Sequence, residues 1–268
     1  MKTQKTTWPT WIKVGLYFLI LSLAYVTAGL VPALNSFIFF FLVSLVSSWA
    51  FLHAEGNTLS SLGFVPLSKK DWANLFQGLA AGIFLLFITL VITLYLTKDN
   101  WEINPHLDPM HLLMTFLGCL FSAFIQEFVF RGYPFQSLLK QYAPWLAQLI
   151  IAIPFGLMHL HASMTLWDML KVMISTGLGS VLFGLAYLKS EKLFLPIGLH
   201  LGWNYAQELL PRVAMQDQHH KGLILLSGNE SMYNDLNVLM PYLLVISIAV
   251  VYFVITGRKK NEPLGHFL

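Results

Sequence analysis

Three apolar segments of the chain carry ionisable or amide side chains of the kinds that act in acid–base catalysis. The first segment contains Glu127 and Arg131, the second contains His159, and the third contains His200 and Asn204. Residues four apart lie on the same face of a helix, so Glu127 faces Arg131 and His200 faces Asn204. Carboxylates and imidazoles serve as general bases, and amide or imidazole donors stabilise oxyanions. The three segments together therefore indicate a site for proton transfer.

The apolar surroundings make these residues more informative. A charged side chain at mid-span costs about 2.5–3.5 kcal/mol on insertion scales, so ionisable residues in membrane segments indicate function by default. The simpler interpretation of Glu127 and Arg131 is a stabilising ion pair at a helix end. For His159 it is a packed, hydrogen-bonded histidine. Three separate segments with such groups favour one convergent site over three unrelated structural features.

The composition places most of the chain in lipid. Of its 268 residues, 56% are hydrophobic and only 11% are charged, whereas soluble domains carry about 25% charged residues. We therefore expect an all-α, polytopic membrane helix bundle that forms a single integral membrane domain over residues 1–268, with its motif-bearing core at about 111–210. Apolar blocks near the ~20 residues needed to cross the hydrocarbon predict about eight transmembrane helices, at 11–31, 36–53, 72–97, 111–130, 145–161, 168–189, 193–210 and 237–256.

Basic residues in the flanks of these segments predict the orientation. With a cytoplasmic amino terminus, all but four of the 16 lysines and arginines fall on the cytoplasmic side. Lysine and arginine are enriched in cytoplasmic loops, so both termini are expected to be cytoplasmic in a multi-pass protein of the plasma membrane. The first apolar run is as long as a full span, which favours a transmembrane helix over a cleaved signal peptide. The four exceptions are Lys98, Lys171, Arg212 and Lys221.

Two long loops are predicted on the outer side, at 98–109 and 211–237. The second contains His219 and His220, which we interpret as solvated loop histidines because no third metal ligand is near them in the sequence. Within the seventh predicted span, Gly198 and Gly202 predict the close approach of a neighbouring helix.

The motifs resemble those of the CPBP family, which comprises the type II CAAX prenyl endopeptidases and bacteriocin-processing or self-immunity proteins. The family pattern is E-E-x-x-x-R, then F-x-x-x-H, then H-x-x-x-N or D, on helices of an eight-span bundle. Here the chain has Gln126-Glu127 and Arg131, then Phe155 with His159, then His200 with Asn204. The order and internal spacings match over residues 126 to 204, which is under a third of the chain.

The resemblance implies an intramembrane endopeptidase that hydrolyses a peptide bond at or near the membrane. In such proteases the first glutamate of the first motif and the histidine of the second motif activate water, and the third motif stabilises the oxyanion. Carried onto this chain, we expect Glu127 and His159 to activate water, Arg131 to orient Glu127, and His200 and Asn204 to stabilise the oxyanion.

One departure from the family pattern concerns the first glutamate, which is Gln126 here. An amide cannot act as a general base. Either Glu127 has taken that role, or the chain is a catalytically inactive membrane scaffold or bacteriocin self-immunity protein. A small transporter that uses the same buried polar groups as a relay is a further, weaker alternative.

The partners expected from the sequence are a peptide or protein substrate at the membrane and the lipid bilayer. Nucleic acid is not expected, because basic residues at membrane flanks account for a net charge of +3. No cofactor is required by the proposed chemistry, although Glu127, His159 and His200 are residue types that bind zinc or another divalent metal. The sequence has no H-E-x-x-H motif and no P-loop.

Overall fold

A computed structural model describes residues 8–34, 37–212 and 222–257, and the fold is a bundle of α-helices. The all-α prediction is confirmed. In chain order the helices of the described part are α1 (Thr10–Leu30), α2 (Phe37–Ala54), α3 (Lys69–Thr97), α4 (Pro109–Arg131), α5 (Tyr133–Leu139), α6 (Pro144–Leu157), α7 (Leu166–Ser190), α8 (Phe194–Leu209) and α9 (Asp235–Gly257). Two short strands, β1 (Asn100–Ile103) and β2 (Ile224–Ser227), lie in the loops after α3 and α8.

The helices have the lengths and surfaces of a membrane bundle. Five helical segments are long and apolar enough to cross a membrane: α1, α3, α4 continuing into α5, α7 and α9. They expose large apolar side chains such as Leu23, Phe84 and Tyr252, where lipid is the matching solvent. The shorter α2 and α6 are also apolar. Each of the eight predicted spans coincides with a helix, and the number that actually crosses the membrane stays a prediction.

Helix α8 is the central helix of the bundle. It has 16 residues, and side chains around its whole circumference are buried between Phe194 and Ala206. A helix that is buried all round lies in a core. The third motif is therefore held inside the protein, away from lipid.

Two helix ends differ from the prediction. The fifth span, predicted to reach residue 161, ends as α6 at Leu157. The amides of His159 and Leu160 bond to carbonyls three residues back, so the last turn tightens and the helix stops. Both His159 and His161 thus lie beyond the helix. After α4, the chain breaks at Gly132 and continues as the unpredicted α5. Glycine permits this break, because a Cβ atom at position 132 would lie 2.2 Å from the carbonyl oxygen of Phe128.

The two predicted outer loops are hydrogen-bonded to each other. Strands β1 and β2 pair antiparallel, with Asn100 opposite Ser227 and Ile103 opposite Ile224. The sequence did not predict these strands, but their pairing places both loops at one end of the bundle, as expected for loops on the same side. We call this the strand end. His219 and His220 lie outside the described residues.

Helices α3 and α8 pack with their backbones in direct contact. A Cβ atom at Gly202 would lie 2.1 Å from the carbonyl oxygen of Leu79, and Gly198 is equally crowded. On α3, Gly78 and Gly82 face the backbone of α8 in the same way. Both helices thus carry the G-x-x-x-G pattern that allows close helix approach in membranes. The close approach predicted from the two α8 glycines is confirmed, whereas their α3 partners were not predicted.

A polar anchor fixes the other end of this helix pair. The Ser68 side chain and the Asp71 carboxylate form a capping box at the start of α3. Lys192, just before α8, donates to both oxygens of the same carboxylate at 2.7 and 2.8 Å. The register of α8 along α3 is therefore set by an ion pair as well as by the glycine contacts.

Substituting Gly202 with alanine is expected to lower the stability of the bundle. The added methyl has no room beside the α3 backbone, and overpacking typically costs about 1–3 kcal/mol. Thermal unfolding of the purified protein in detergent measures the effect. Gly118→Ala on α4 is the matched control, because nothing lies within 4 Å of its Cβ position and alanine is the better helix former by about 0.5–1 kcal/mol. Equal melting temperatures for the two variants would contradict the glycine contact.

The predicted orientation can be read with single cysteines in a Cys119→Ala background, since Cys119 is the only native cysteine. Cysteine at the exposed Glu102 of β1 is expected to react with a membrane-impermeant maleimide on intact cells. Cysteine at the exposed Ser60, between α2 and α3, is expected to react only after permeabilisation. Labelling of both positions from the same side would overturn the span assignment. Labelling of Ser60 alone on intact cells would invert the orientation.

Candidate active site

An ion pair lies buried at the end of α4. Glu127 is 0% exposed and Arg131 is 1% exposed. Arg131 Nη1 is 3.2 Å from Glu127 Oε1. Arg131 Nη2 donates to both the carbonyl oxygen and the hydroxyl of Ser180 on α7, at 2.6 and 2.7 Å. Buried charges persist when they are paired and hydrogen-bonded, so this arrangement ties α4 to α7.

Two aromatic rings enclose the guanidinium. Its carbon lies 4.8 Å from the ring centroid of Phe155 and 5.5 Å from that of Phe183, within the range of cation–π attraction. Phe183 also stacks on the imidazole of His200, with centroids 4.4 Å apart and planes at 15°. The same rings thus hold both Arg131 and His200 in place.

His200 shares the carboxylate of Glu127. Its Nδ1 lies 2.8 Å from Glu127 Oε1, and the side chain is almost fully buried. A carboxylate paired with Arg131 accepts hydrogen bonds and does not donate them, so Nδ1 carries the hydrogen. The lone pair of His200 then resides on Nε2. This is the carboxylate–histidine arrangement that fixes the tautomer and orientation of an imidazole.

His159 has a fixed tautomer for a different reason. Its Nδ1 lies 2.8 Å from the carbonyl oxygen of Phe155, and a carbonyl can only accept, so here too the lone pair is on Nε2. The Phe155 ring is close to both imidazoles, with centroid distances of 5.1 Å to His159 and 6.1 Å to His200. The second and third motifs thus meet at one phenyl ring.

A cavity of about 220 Å³ lies where these elements converge. Three of the predicted site residues line it: His159, His200 and Asn204. Its remaining walls come from α6, α7, α8, α9 and the start of the loop after α8: Phe155, Ser175, Thr176, Gly179, Leu182, Phe183, Leu199, Trp203, Gln207, Arg212, Leu239, Tyr242 and Ile246.

The other three predicted site residues do not line this cavity. Glu127 is hydrogen-bonded to the cavity-lining His200, and Arg131 packs against the cavity-lining rings of Phe155 and Phe183. The side chain of Gln126 points about 100° away from that of Glu127 around the helix axis. Its Nε2 donates to Ser122 Oγ at 2.9 Å. Its Oε1 is buried and has no hydrogen-bond partner among the described residues.

The structure does not assemble a metal site from these residues. Within the described ranges, no group of three or more histidine, cysteine, aspartate or glutamate side chains is placed to hold a metal ion. Glu127, His159 and His200, whose residue types can bind zinc, therefore do not form such a cluster.

Several residues that shape the site were not predicted. Ser180 and Phe183 hold Arg131 and His200 from α7, and Tyr242 of α9 lines the cavity and donates to the carbonyl oxygen of Ser175. Their residue types are common in membrane helices, and nothing in their spacing distinguishes them. Arg212 was counted among the outer basic residues but was not predicted to face the cavity.

Comparison with known families supports the motif assignment. Residues 108–206 match the model of a family described as type II CAAX prenyl endopeptidase Rce1-like. The matched segment covers less than half of the chain, begins at the residue that caps α4 and ends in α8, so it includes all three motifs. No curated protein matches the chain. The resemblance to the CPBP family is thereby confirmed. Together with the five long apolar helices, it makes the chain an integral membrane protein related to a protease family.

Proposed function

We propose that this chain is an intramembrane endopeptidase that hydrolyses a peptide bond in the cavity between α6, α7, α8 and α9. The observation that carries the proposal is the convergence of His159, His200 and Asn204 on one cavity, with Glu127 hydrogen-bonded to His200. The family match is to endopeptidases and supports the same reaction class. The substrate is then a peptide or protein segment at the membrane.

The geometry supports His200 as the general base. Its Nε2 lone pair is free to take a proton from a water molecule as the water oxygen attacks the scissile carbonyl carbon. Glu127, bonded to Nδ1, stabilises the imidazolium that forms, and Arg131 holds the carboxylate in position. The proton then passes from Nε2 to the leaving amine nitrogen as the carbon–nitrogen bond breaks.

Asn204 is the best placed donor for the oxyanion. Its side-chain amide lies one helical turn beyond His200 and lines the same cavity, and amide donors of this kind stabilise the tetrahedral intermediate. His159 offers an Nε2 acceptor, so it orients the attacking water and does not donate to the oxyanion.

These roles differ from those implied by the family resemblance, which pairs Glu127 with His159 as the water-activating groups. The reason is the tautomer of His200: with the hydrogen on Nδ1, Nε2 is an acceptor when water attacks, and the proton that it gains is then given to the leaving amine. In addition, Glu127 is completely buried behind His200 and does not line the cavity.

The proposed roles predict which pair of residues acts as a unit. Glu127→Gln and His200→Ala should each reduce cleavage by about 10²–10⁴-fold, the usual range for general-base catalysis. Their double variant should be little worse than either single one, because groups that act together are non-additive. The losses from Glu127→Gln and His159→Ala should instead multiply. The assay is cleavage of a membrane-adjacent peptide reporter in vesicles, at equal folded concentration.

The opposite pattern would reassign the base. If the Glu127→Gln effect is additive with His200→Ala but not with His159→Ala, the pairing implied by the resemblance is correct and ours is wrong. If the Glu127→Gln variant cleaves the reporter as well as the wild type does, both the Glu127–His200 and the Glu127–His159 pairings are wrong.

A non-hydrolytic membrane scaffold or self-immunity protein is the second candidate, and Gln126 favours it. In a working enzyme, Gln126→Glu should be neutral or harmful, because it places a second carboxylate beside the buried Glu127. In a relative that has lost hydrolysis, the same substitution should create cleavage where the wild type shows none. The reporter assay distinguishes these outcomes, with Gln126→Ala as the control for loss of the Ser122 hydrogen bond.

We also infer that the protein resides in the plasma membrane with both termini cytoplasmic. The excess of basic residues on the assigned inner side supports this orientation. The strand end of the bundle, and with it the outer parts of the cavity, then faces away from the cytoplasm.

A further inference from the structure

Arg212 is a cation in the cavity wall that has no carboxylate partner among the described residues. It lies three residues after the end of α8 and is half-buried. The other partly or fully buried cations near the cavity are paired: Arg131 with Glu127, and Lys171 with Asp168 and Asp235. Within the described part of the chain, Arg212 therefore contributes a positive charge without a carboxylate partner to a cavity whose other lining side chains are amides, hydroxyls, imidazoles and apolar groups.

The guanidinium rests on a fixed aromatic platform. Its carbon lies 5.7 Å from the ring centroid of Tyr242. The Tyr242 hydroxyl donates to the carbonyl oxygen of Ser175 at 2.8 Å, and the ring packs edge-on against Trp203 with centroids 5.3 Å apart. The ring is therefore held on two sides and offers the guanidinium a fixed surface. Its forked donors match the two oxygens of a carboxylate.

The position of Arg212 also agrees with a route into the cavity. A second depression shares Ser175 and Leu239 with the cavity and continues to Lys171 and Asp235, near the amino-terminal ends of α7 and α9. Those helix ends belong to the strand end of the bundle. A peptide that enters from this end reaches the cavity whose wall contains both Arg212 and His200.

From these observations we infer that Arg212 is a specificity residue that binds a carboxylate of the substrate. This inference rests on the proposed peptidase function. The carboxylate has two possible sources, the free carboxyl terminus of a peptide or the side chain of an aspartate or glutamate near the scissile bond. Charge-assisted hydrogen bonds of this kind contribute enough to change apparent affinity by about 10- to 100-fold.

Three fluorogenic peptide libraries with the same random core test the inference. The first has free carboxyl termini and no acidic side chains, the second is identical but amidated, and the third is amidated and carries one aspartate or glutamate. Cleavage is measured as KM and kcat with the full-length protein in nanodiscs. Retention of uncleaved peptides on the immobilised protein, read by mass spectrometry, is measured in parallel and does not depend on hydrolysis.

The expected result is a preference for the first or the third library over the second, by about 10- to 100-fold in KM and in retention. The library that is preferred identifies the source of the carboxylate. Arg212→Gln should bring the preference for carboxylate-bearing peptides close to one. Arg212→Lys should keep only part of it, because lysine retains the charge but loses the forked donors and the ring contact. Lys98→Gln removes a cation from the same end of the bundle without touching the cavity and should leave the ratio unchanged.

Other outcomes separate this inference from the proposed function. Cleavage that does not distinguish the amidated, non-acidic library from the other two overturns the role of Arg212 and leaves the peptidase proposal standing. Selective retention without any cleavage supports Arg212 as the carboxylate-binding residue and overturns hydrolysis. Neither retention nor cleavage of any library overturns both. A preference for carboxylate-bearing peptides that persists in Arg212→Gln overturns the inference, because another group then binds the carboxylate.

Discussion

The constraint on which this structure depends is a carboxylate buried in an apolar bundle. Glu127 has no access to solvent, so its charge has to be met by protein groups, and the surrounding helices are arranged to supply them. Arg131 provides the countercharge and His200 the second hydrogen bond on the same oxygen. Arg131 in turn needs Ser180, which draws α7 against α4. One buried charge thus determines the relative positions of α4, α7 and α8.

The contact between α3 and α8 sets the position of the polar cluster along the axis of the bundle. A side chain on α8 can meet Glu127 only if the helix sits at one height along α3, and the interlocked glycine backbones permit little sliding. The Lys192 ion pair to Asp71 limits movement at the other end. Because α8 is short and buried on all sides, its position is set by contacts with other helices and not by contacts with lipid. The glycine face of α8, which packs on α3, therefore positions the polar residues of the third motif without taking part in the reaction.

Much of the architecture followed from the sequence because it is encoded locally. Long apolar blocks fix where helices occur, and spacings of four residues fix which side chains share a face, so the polar pairs on α4 and α8 were predictable. The G-x-x-x-G pattern on α8 likewise indicated a close helix contact. These inferences need only the composition and periodicity of one segment at a time.

The features that were missed depend on contacts between distant parts of the chain. The early end of α6 is decided by a tightened last turn, and the four-residue strands form only because two separate loops meet. The sequence also could not show that Glu127 faces His200 and not the cavity, since this depends on how α4 and α8 are rotated against each other. The same holds for Arg212, whose residue type suggested a membrane flank and whose location places it in the cavity wall.

The pairing of β1 with β2 has a consequence for how the molecule moves. An isolated two-stranded ribbon is marginally stable in water, and β1 is exposed along its whole length. Local opening in a protein occurs first where backbone hydrogen bonds are solvent-exposed and few apolar groups are buried. The strand end therefore opens at a lower free energy than the glycine-locked pair of α3 and α8. Neither strand contributes a residue to the cavity lining, so local opening of the ribbon can occur while the buried carboxylate and its partners remain assembled.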